Sequence, residues 1–309
     1  MIAFLFPGQG AQFAGFLHTL GGAAPHPVIS QTLSEASDRL KLDVLTFDES
    51  TALHSTVAVQ LALFVAGVAT ARALQQEGIM PDAVAGLSVG AYAAAVACGA
   101  IDFHDALTLL KLRAELMESS YPSGYGMLAV SGLSERDLSA LIDGPGLEPA
   151  FIANLNAPRQ IVIAGSDAAL ARVRDAALDA GARKAERLAV SVPSHCILLD
   201  DAARTLTEAA SKIAFHAPCV PYISNRGARP LRRAEAIADD LATNLRFPVR
   251  WHDSTILLSE LGVRVMVEMP PGRTLTQLAA DALPDIAGVA IEQMPVDPAV
   301  ALINARTSS

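Results

Sequence analysis

Short apolar runs alternate with long helical ones along most of this chain. Residues 2–6 are uninterruptedly apolar and open into Pro7-Gly8-Gln9-Gly10, the pattern of a strand buried on both faces. Residues 28–40 have helical spacing. Residues 55–77 give a long apolar helix that stops at Gly78, with Pro81 beyond it. A strand over Asp82–Ala85, a buried helix over Ala91–Cys98 closed by Gly99, and a helix over 102–119 follow. This alternation predicts a mostly parallel sheet with helices on both faces.

From 124 to 191 the rhythm changes. Gly126–Ser131 reads as a strand and 134–142 as a helix opened by Ser134. Strands near 149–155 and 160–164 are joined by Asn156-Ala157-Pro158-Arg159. A helix over Ser166–Ala180 and a strand over 183–190 complete the order βαββαβ, the ferredoxin-like unit. The expected division is therefore a large discontinuous domain, 1–123 and 192–309, with an inserted subdomain at 124–191. In the remainder, helices are expected at 197–213 and 234–245. A strand over 263–268 should end in Met269-Pro270-Pro271-Gly272, with a helix from Thr274 and a frayed tail, Arg306–Ser309.

Composition narrows the function classes. The chain has 309 residues, 51% of them hydrophobic, enough for a substantial core. Its formal net charge of −9 argues against nucleic acid as the main partner. Two basic clusters stand out locally: Arg226, Arg229, Arg232 and Arg233, and Arg183, Lys184 and Arg187. Each reads first as solvated surface and second as a docking face. Cys98, Cys196 and Cys219 have neither metal-ligand spacing nor a pairing framework, which points to a reduced, cytoplasmic setting. The apolar start is too short for a signal sequence, and the alanine-rich runs at 58–74 and 91–100 read as too short or interrupted to span a bilayer.

The candidate chemistry begins at Gly86-Leu87-Ser88-Val89-Gly90, a serine between two glycines at a strand-to-helix turn. This is the nucleophile-elbow pattern. Strand and helix nearly touch there, so a Cβ on either side would clash. The serine hydroxyl emerges at a helix N-terminus, where free N–H groups favour a developing oxyanion. An ordinary glycine-rich turn with a capping serine has the same letters. A serine nucleophile needs a base, and histidine titrates in the right range. Of the seven candidates, His18, His26, His54, His104, His195, His216 and His252, His195 lies at the end of a strand and the start of a helix, in Ser191-Val192-Pro193-Ser194-His195-Cys196, where catalytic groups emerge in α/β sheets. Asp137, Asp143, Asp167, Asp175 and Asp179 fall in the inserted segment, and Asp200 and Asp201 read as a polar helix face. The residues therefore favour a Ser–His dyad over a triad.

Together these features resemble the malonyl-CoA:acyl-carrier-protein transacylase family. The resemblance runs from Phe6-Pro7-Gly8-Gln9-Gly10-Ala11-Gln12 to the Pro-Pro-Gly loop at 270–272. It takes in Gln60, the Ser88 elbow, Leu112-Arg113, Asn156 with Gln160, the Ser-Val-Pro-Ser-His-Cys run, and Asn244 followed by Pro248-Val249-Arg250-Trp251. It implies an α/β-hydrolase-like large domain with an inserted ferredoxin-like subdomain. It implies Ser88 as acyl-accepting nucleophile and His195 as base, with the backbone carbonyl near Arg250 orienting the imidazole. The N–H groups of Gln9 and Val89 would form the oxyanion hole. Arg113, with Gln60 nearby, would bind the free malonyl carboxylate. The implied partners are malonyl-CoA and an acyl carrier protein, with no tightly bound cofactor and no metal.

The chain departs from the common family pattern in three places. Leu87 stands where histidine is usual, Ala91 where glutamate is usual, and Pro270-Pro271-Gly272 where Gly-Pro-Gly is usual. These variants look like the malonate decarboxylase epsilon subunit. So do Tyr121-Pro122-Ser123-Gly124-Tyr125-Gly126-Met127, Ala153-Asn154-Leu155-Asn156 and Ile237-Ala238-Asp239-Asp240-Leu241-Ala242. That branch charges a dedicated carrier and so primes the decarboxylase. A fatty-acid-synthesis transacylase, a serine thioesterase with the same dyad, a transferase of neutral acyl groups and a non-catalytic carrier-binding subunit are the competing readings.

Overall fold

A computed structural model describes residues 1–121, 123–143 and 149–308. Pro122, in the Tyr121–Met127 run, and Ser309, in the tail, lie outside the described residues.

The strands, in chain order, are β1 Ile2–Phe6, β2 Ala83–Gly86, β3 Tyr125–Ser131, β4 Ala150–Ala157, β5 Gln160–Ser166, β6 Lys184–Arg187, β7 Tyr222–Ile223, β8 Pro230–Leu231, β9 Val265–Glu268 and β10 Ala287–Ala290. The helices are α1 Pro27–Leu40, α2 Thr56–Gln76, α3 Gly90–Ala97, α4 Phe103–Ser120, α5 Glu135–Ile142, α6 Asp167–Asp179, α7 Asp200–Ala210, α8 Ala234–Thr243, α9 Trp251–Glu260, α10 Thr274–Ala282 and α11 Val296–Thr307.

The strands form two sheets. The larger has the order β10-β9-β1-β2-β7-β8, parallel except for β8. Strand β1 lies in its centre, and its side chains alternate between two cores, as a period of two requires. Phe4 and Phe6 join α2, α3 and α4 on one face, while Ala3 and Leu5 join α9 and α10 on the other. The smaller sheet, β4-β5-β3-β6, is antiparallel throughout and carries α5 and α6 over its own core. The molecule is thus an α/β-hydrolase-like large domain with a ferredoxin-like small subdomain. The two meet where Asn154 in β4 bridges to Val249 and the Leu155 N–H donates to the Val249 carbonyl at 2.8 Å.

Several expectations need correction. Helix α2 has 21 residues, long and apolar enough to cross a bilayer, contrary to the reading of this run as too short. It is mostly apolar, and 89% of its apolar window is buried inside the protein, as for a core helix. Strand β6 is shorter than 183–190, and the tail continues as α11 through Thr307. The segment 197–213 splits into a 3-10 turn, Ile197–Leu199, and α7.

Candidate active site

The C-terminal ends of β1 and β2 set the site. Phe6 pairs with Gly86, so the loop after β1 and the elbow after β2 leave the sheet side by side. The elbow turns in three residues, with Ser88 at φ +55°. Its glycines are sterically required. A Cβ on Gly86 would lie 2.1 Å from the Gly90 carbonyl carbon, and one on Gly90 would lie 2.2 Å from the Phe6 carbonyl oxygen.

His195 comes from the loop between β6 and the Ile197–Leu199 turn, also at positive φ, +61°. Its Nε2 lies 2.7 Å from Ser88 Oγ and its Nδ1 lies 2.8 Å from the Asn244 carbonyl. A carbonyl can only accept, so Nδ1 carries the proton and Nε2 is free to accept from the Ser88 hydroxyl. Burial pushes the imidazole pKa down to about 4, and the positive Arg113 adds to the fall. His195 is therefore neutral across the physiological range.

Arg113 projects from α4 and is fully buried. Its Nη1 donates to Gln60 Oε1 at 2.6 Å and its Nη2 to Ser88 Oγ at 3.1 Å. Gln60, on α2, is fixed from its other end by donation to Met117 Sδ at 3.5 Å. Arg113 Nε has no partner among the described residues, and no described acidic side chain lies within ion-pair distance of the guanidinium. A buried cation with only neutral partners is a costly arrangement that an anionic ligand would relieve.

Beside these groups lies a cavity of about 120 Å³. Gln9, Ser88, Val89 and His195 line it from the large domain, and Met127, Asn154, Asn156 and Val162 from the small one. The backbone N–H groups of Gln9 and Val89 donate to no protein acceptor among the described residues. The set can move a proton from a hydroxyl to an imidazole, stabilise an oxyanion and hold a carboxylate. Among the described residues, no group of three or more His, Cys, Asp or Glu is placed to hold a metal ion.

A model of the acyl transferase domain matches residues 3–299. The malonyl CoA-acyl carrier protein transacylase of Escherichia coli K12 is 38% identical over 285 residues, covering 89% of this chain and 91% of that one. The chain belongs to the malonyl CoA-acyl carrier protein transacylase family. The structure of the family member from Coxiella burnetii superposes with a TM-score of 0.93 at 32% identity, covering all of this chain and 98% of that one. A malonyl-transacylase solved in complex with a type II polyketide acyl-carrier protein gives 0.90 at 36% identity, covering all of this chain and 99% of that one.

Of the residues expected from the family, Ser88, His195, Arg113, Gln60, Gln9 and Val89 are brought together. Arg250 is not the residue that orients His195. Its carbonyl accepts from the Ser254 N–H and hydroxyl at the start of α9, while its side chain pairs with Asp253 and Glu135. The oriented bond comes from Asn244, in the 3-10 turn Asn244–Arg246, and the His195 N–H donates to the neighbouring Leu245 carbonyl at 2.7 Å. Gln160 sits exposed at the start of β5. Asn225 was not foreseen: its side chain bonds the elbow at the Ser88 N–H (2.7 Å) and the Gly86 carbonyl (2.8 Å). Of the other histidines, His26 caps α1 through Val28 and His18 contacts buried Asp48.

Proposed function

We propose that this protein transfers a malonyl group from malonyl-CoA to the prosthetic-group thiol of an acyl carrier protein through a malonyl ester on Ser88. The observation that carries this reading is Arg113, a buried guanidinium without an acidic partner among the described residues, 3.1 Å from the Ser88 hydroxyl. A malonyl ester on Ser88 has its free carboxylate one methylene beyond the ester carbonyl, within reach of that fork. Charge-assisted bidentate bonding there suits a planar carboxylate.

In this scheme His195 Nε2 takes the Ser88 proton as Oγ attacks the thioester carbonyl. The negative charge that forms on the carbonyl oxygen is met by the N–H groups of Gln9 and Val89. The C–S bond breaks, and CoA leaves as a thiol with the proton from His195. The carrier thiol then repeats the steps in reverse and restores Ser88. CoA and the carrier arm act as substrates, and no tightly bound cofactor enters the scheme. Arg113 also ties acyl choice to base strength. A bound carboxylate offsets the positive charge that holds the His195 pKa down, so the correct acyl group strengthens its own base.

We further propose the carrier of malonate decarboxylase as the acceptor, in the cytoplasm, where the free Cys98, Cys196 and Cys219 would stay reduced. Support comes from Leu87, which lines the cavity next to Ser88, from the fully buried Ala91, and from the Pro270–Gly272 loop. The experiment is malonyl transfer in parallel to a fatty-acid-synthesis carrier and to a malonate decarboxylase carrier. Preference for the latter by at least tenfold in kcat/KM is the expected result. Equal use of both would return the chain to general fatty-acid synthesis. Free malonate with neither carrier loaded would make it a thioesterase.

A further inference from the structure

The parallel ladder between β2 and β7 stops one step before the elbow. Val84 pairs with Tyr222 and Ala85 with Ile223. The chain then turns away, and the Ser224 N–H donates to the Arg229 carbonyl. A parallel rung opposite Leu87 would need an acceptor for the Ser88 N–H and a donor for the Gly86 carbonyl. The Asn225 side chain supplies both: Oδ1 accepts from Ser88 N at 2.7 Å and Nδ2 donates to Gly86 O at 2.8 Å. On the opposite side, the Leu87 N–H donates to the Phe6 carbonyl at 2.9 Å. The Gly86–Leu87 peptide is thus held by β1 on one edge and by the side-chain amide on the other, and the same amide holds the Leu87–Ser88 peptide through the Ser88 N–H.

Asn225 is itself held. It is 3% exposed. Its N–H donates to Asp240 Oδ2 at 3.4 Å, and the same oxygen accepts the Tyr222 hydroxyl at 2.7 Å. Its carbonyl accepts from the Arg250 N–H at 2.9 Å. A serine at positive φ stays there only when its surroundings over-determine it. The Ser88 N–H, consumed by Asn225, is not an oxyanion donor. Fixing it sets the direction of the next peptide, whose N–H belongs to Val89.

We propose that Asn225 is a positioning residue for Ser88 and for the Val89 N–H, its amide standing in for the missing rung of the sheet. The inference rests on Ser88 being the nucleophile proposed above. A carboxylate in the same place keeps the acceptor, loses the donor and sets its charge against the Gly86 carbonyl. Asn225→Asp is therefore the informative isostere, with Asn225→Ala removing both bonds.

The test compares wild type, Asn225→Asp, Asn225→Ala and Ser88→Ala in two assays, with melting temperature recorded for each. A serine-directed fluorophosphonate reports Ser88 reactivity independently of the acyl donor. Rapid mixing with malonyl-CoA gives the acylation rate and its half-saturation concentration. Both Asn225 variants are expected to label and acylate about 10- to 100-fold more slowly per folded molecule, the scale of a misplaced reacting group. The half-saturation concentration should move less than about twofold, as for an interaction realised mainly in the transition state. Asp240→Asn, which loosens the Asn225 main chain but keeps its amide, should show a smaller loss in the same direction. A lower melting temperature with an unchanged rate per labelled site would make Asn225 purely structural and overturn the proposal. Wild type labelled at Ser88 but never malonylated would instead refute malonyl transfer, while the fluorophosphonate rates still decide the role of Asn225.

Discussion

Replacing Arg113 by methionine should convert a malonyl-selective site into a poorly selective one. The guanidinium is fully buried, and its partners Gln60 and Ser88 are neutral. In the proposed complex the substrate carboxylate is its counter-charge. Removing one member of a buried, hydrogen-bonded charge pair costs about 2–5 kcal/mol. At about 1.4 kcal/mol per factor of ten, kcat/KM for malonyl-CoA should fall by roughly 30- to 4,000-fold. Acetyl-CoA has no carboxylate, so its kcat/KM should change far less, and the malonyl-to-acetyl ratio should collapse. Methionine has a comparable reach; it removes a buried charge but leaves Gln60 Oε1 without its donor, so the two effects oppose each other and melting temperature should change little. The Arg113 charge also helps hold the His195 pKa near about 4, so the acid limb of acetyl transfer should move to higher pH in the variant. The assay is thiol release from each CoA ester with carrier present, between pH 4 and pH 8. Parallel loss of malonyl and acetyl transfer, with an unmoved acid limb, would refute the reasoning.

Two further predictions concern the elbow and the histidine. Gly90→Ala should abolish transfer and lower the melting temperature, because the new Cβ meets the Phe6 carbonyl at 2.2 Å; full activity in this variant would refute the steric reading. His195 binds its proton less readily in the folded protein than in the unfolded chain, so it contributes stability above about pH 6.5 that is lost as pH falls toward 4, about 3 kcal/mol in all. Between pH 7 and pH 4, urea midpoints should therefore fall more steeply for wild type than for His195→Gln. Asp240 (pKa up to about 6) and Glu268 (up to about 7) act in the opposite sense, stabilising at low pH and losing that contribution as pH rises. They are common to both proteins, so identical slopes would refute the buried neutral histidine.

The elbow was legible because its requirement is local. Two glycines, a serine, a preceding strand and a following helix lie within one short stretch, and the sterics that demand them are the sterics observed. The ferredoxin-like order was legible because strands and helices of ordinary length alternate between clear turn signals. Elements lacking such signals escaped. Strand β10, Ala-Gly-Val-Ala, has small residues and a single β-branched one, and takes its place by pairing with β9. The resemblance points to a carbonyl near Arg250 and not to that of Asn244, because every residue carries a carbonyl and spacing cannot choose among them. Only the 3-10 turn at Asn244–Arg246 decides which one faces the imidazole. Asn225 bonds Ser88 across 137 positions of sequence, and no pattern of spacing reports such a contact. Composition misled at α2, where a mostly apolar helix of membrane length is a buried core helix. Arg113 shows the same limit. Its neighbours Lys111 and Glu115 mark an exposed helix face, and they pair with each other at the surface while Arg113 points inward.

The central claim is the malonyl ester on Ser88, and intact-protein mass after brief mixing with malonyl-CoA tests it most directly. The account predicts a malonyl adduct on the wild type, none on Ser88→Ala, and CoA release in step with the adduct. No adduct on either protein, with CoA unreleased, would contradict it.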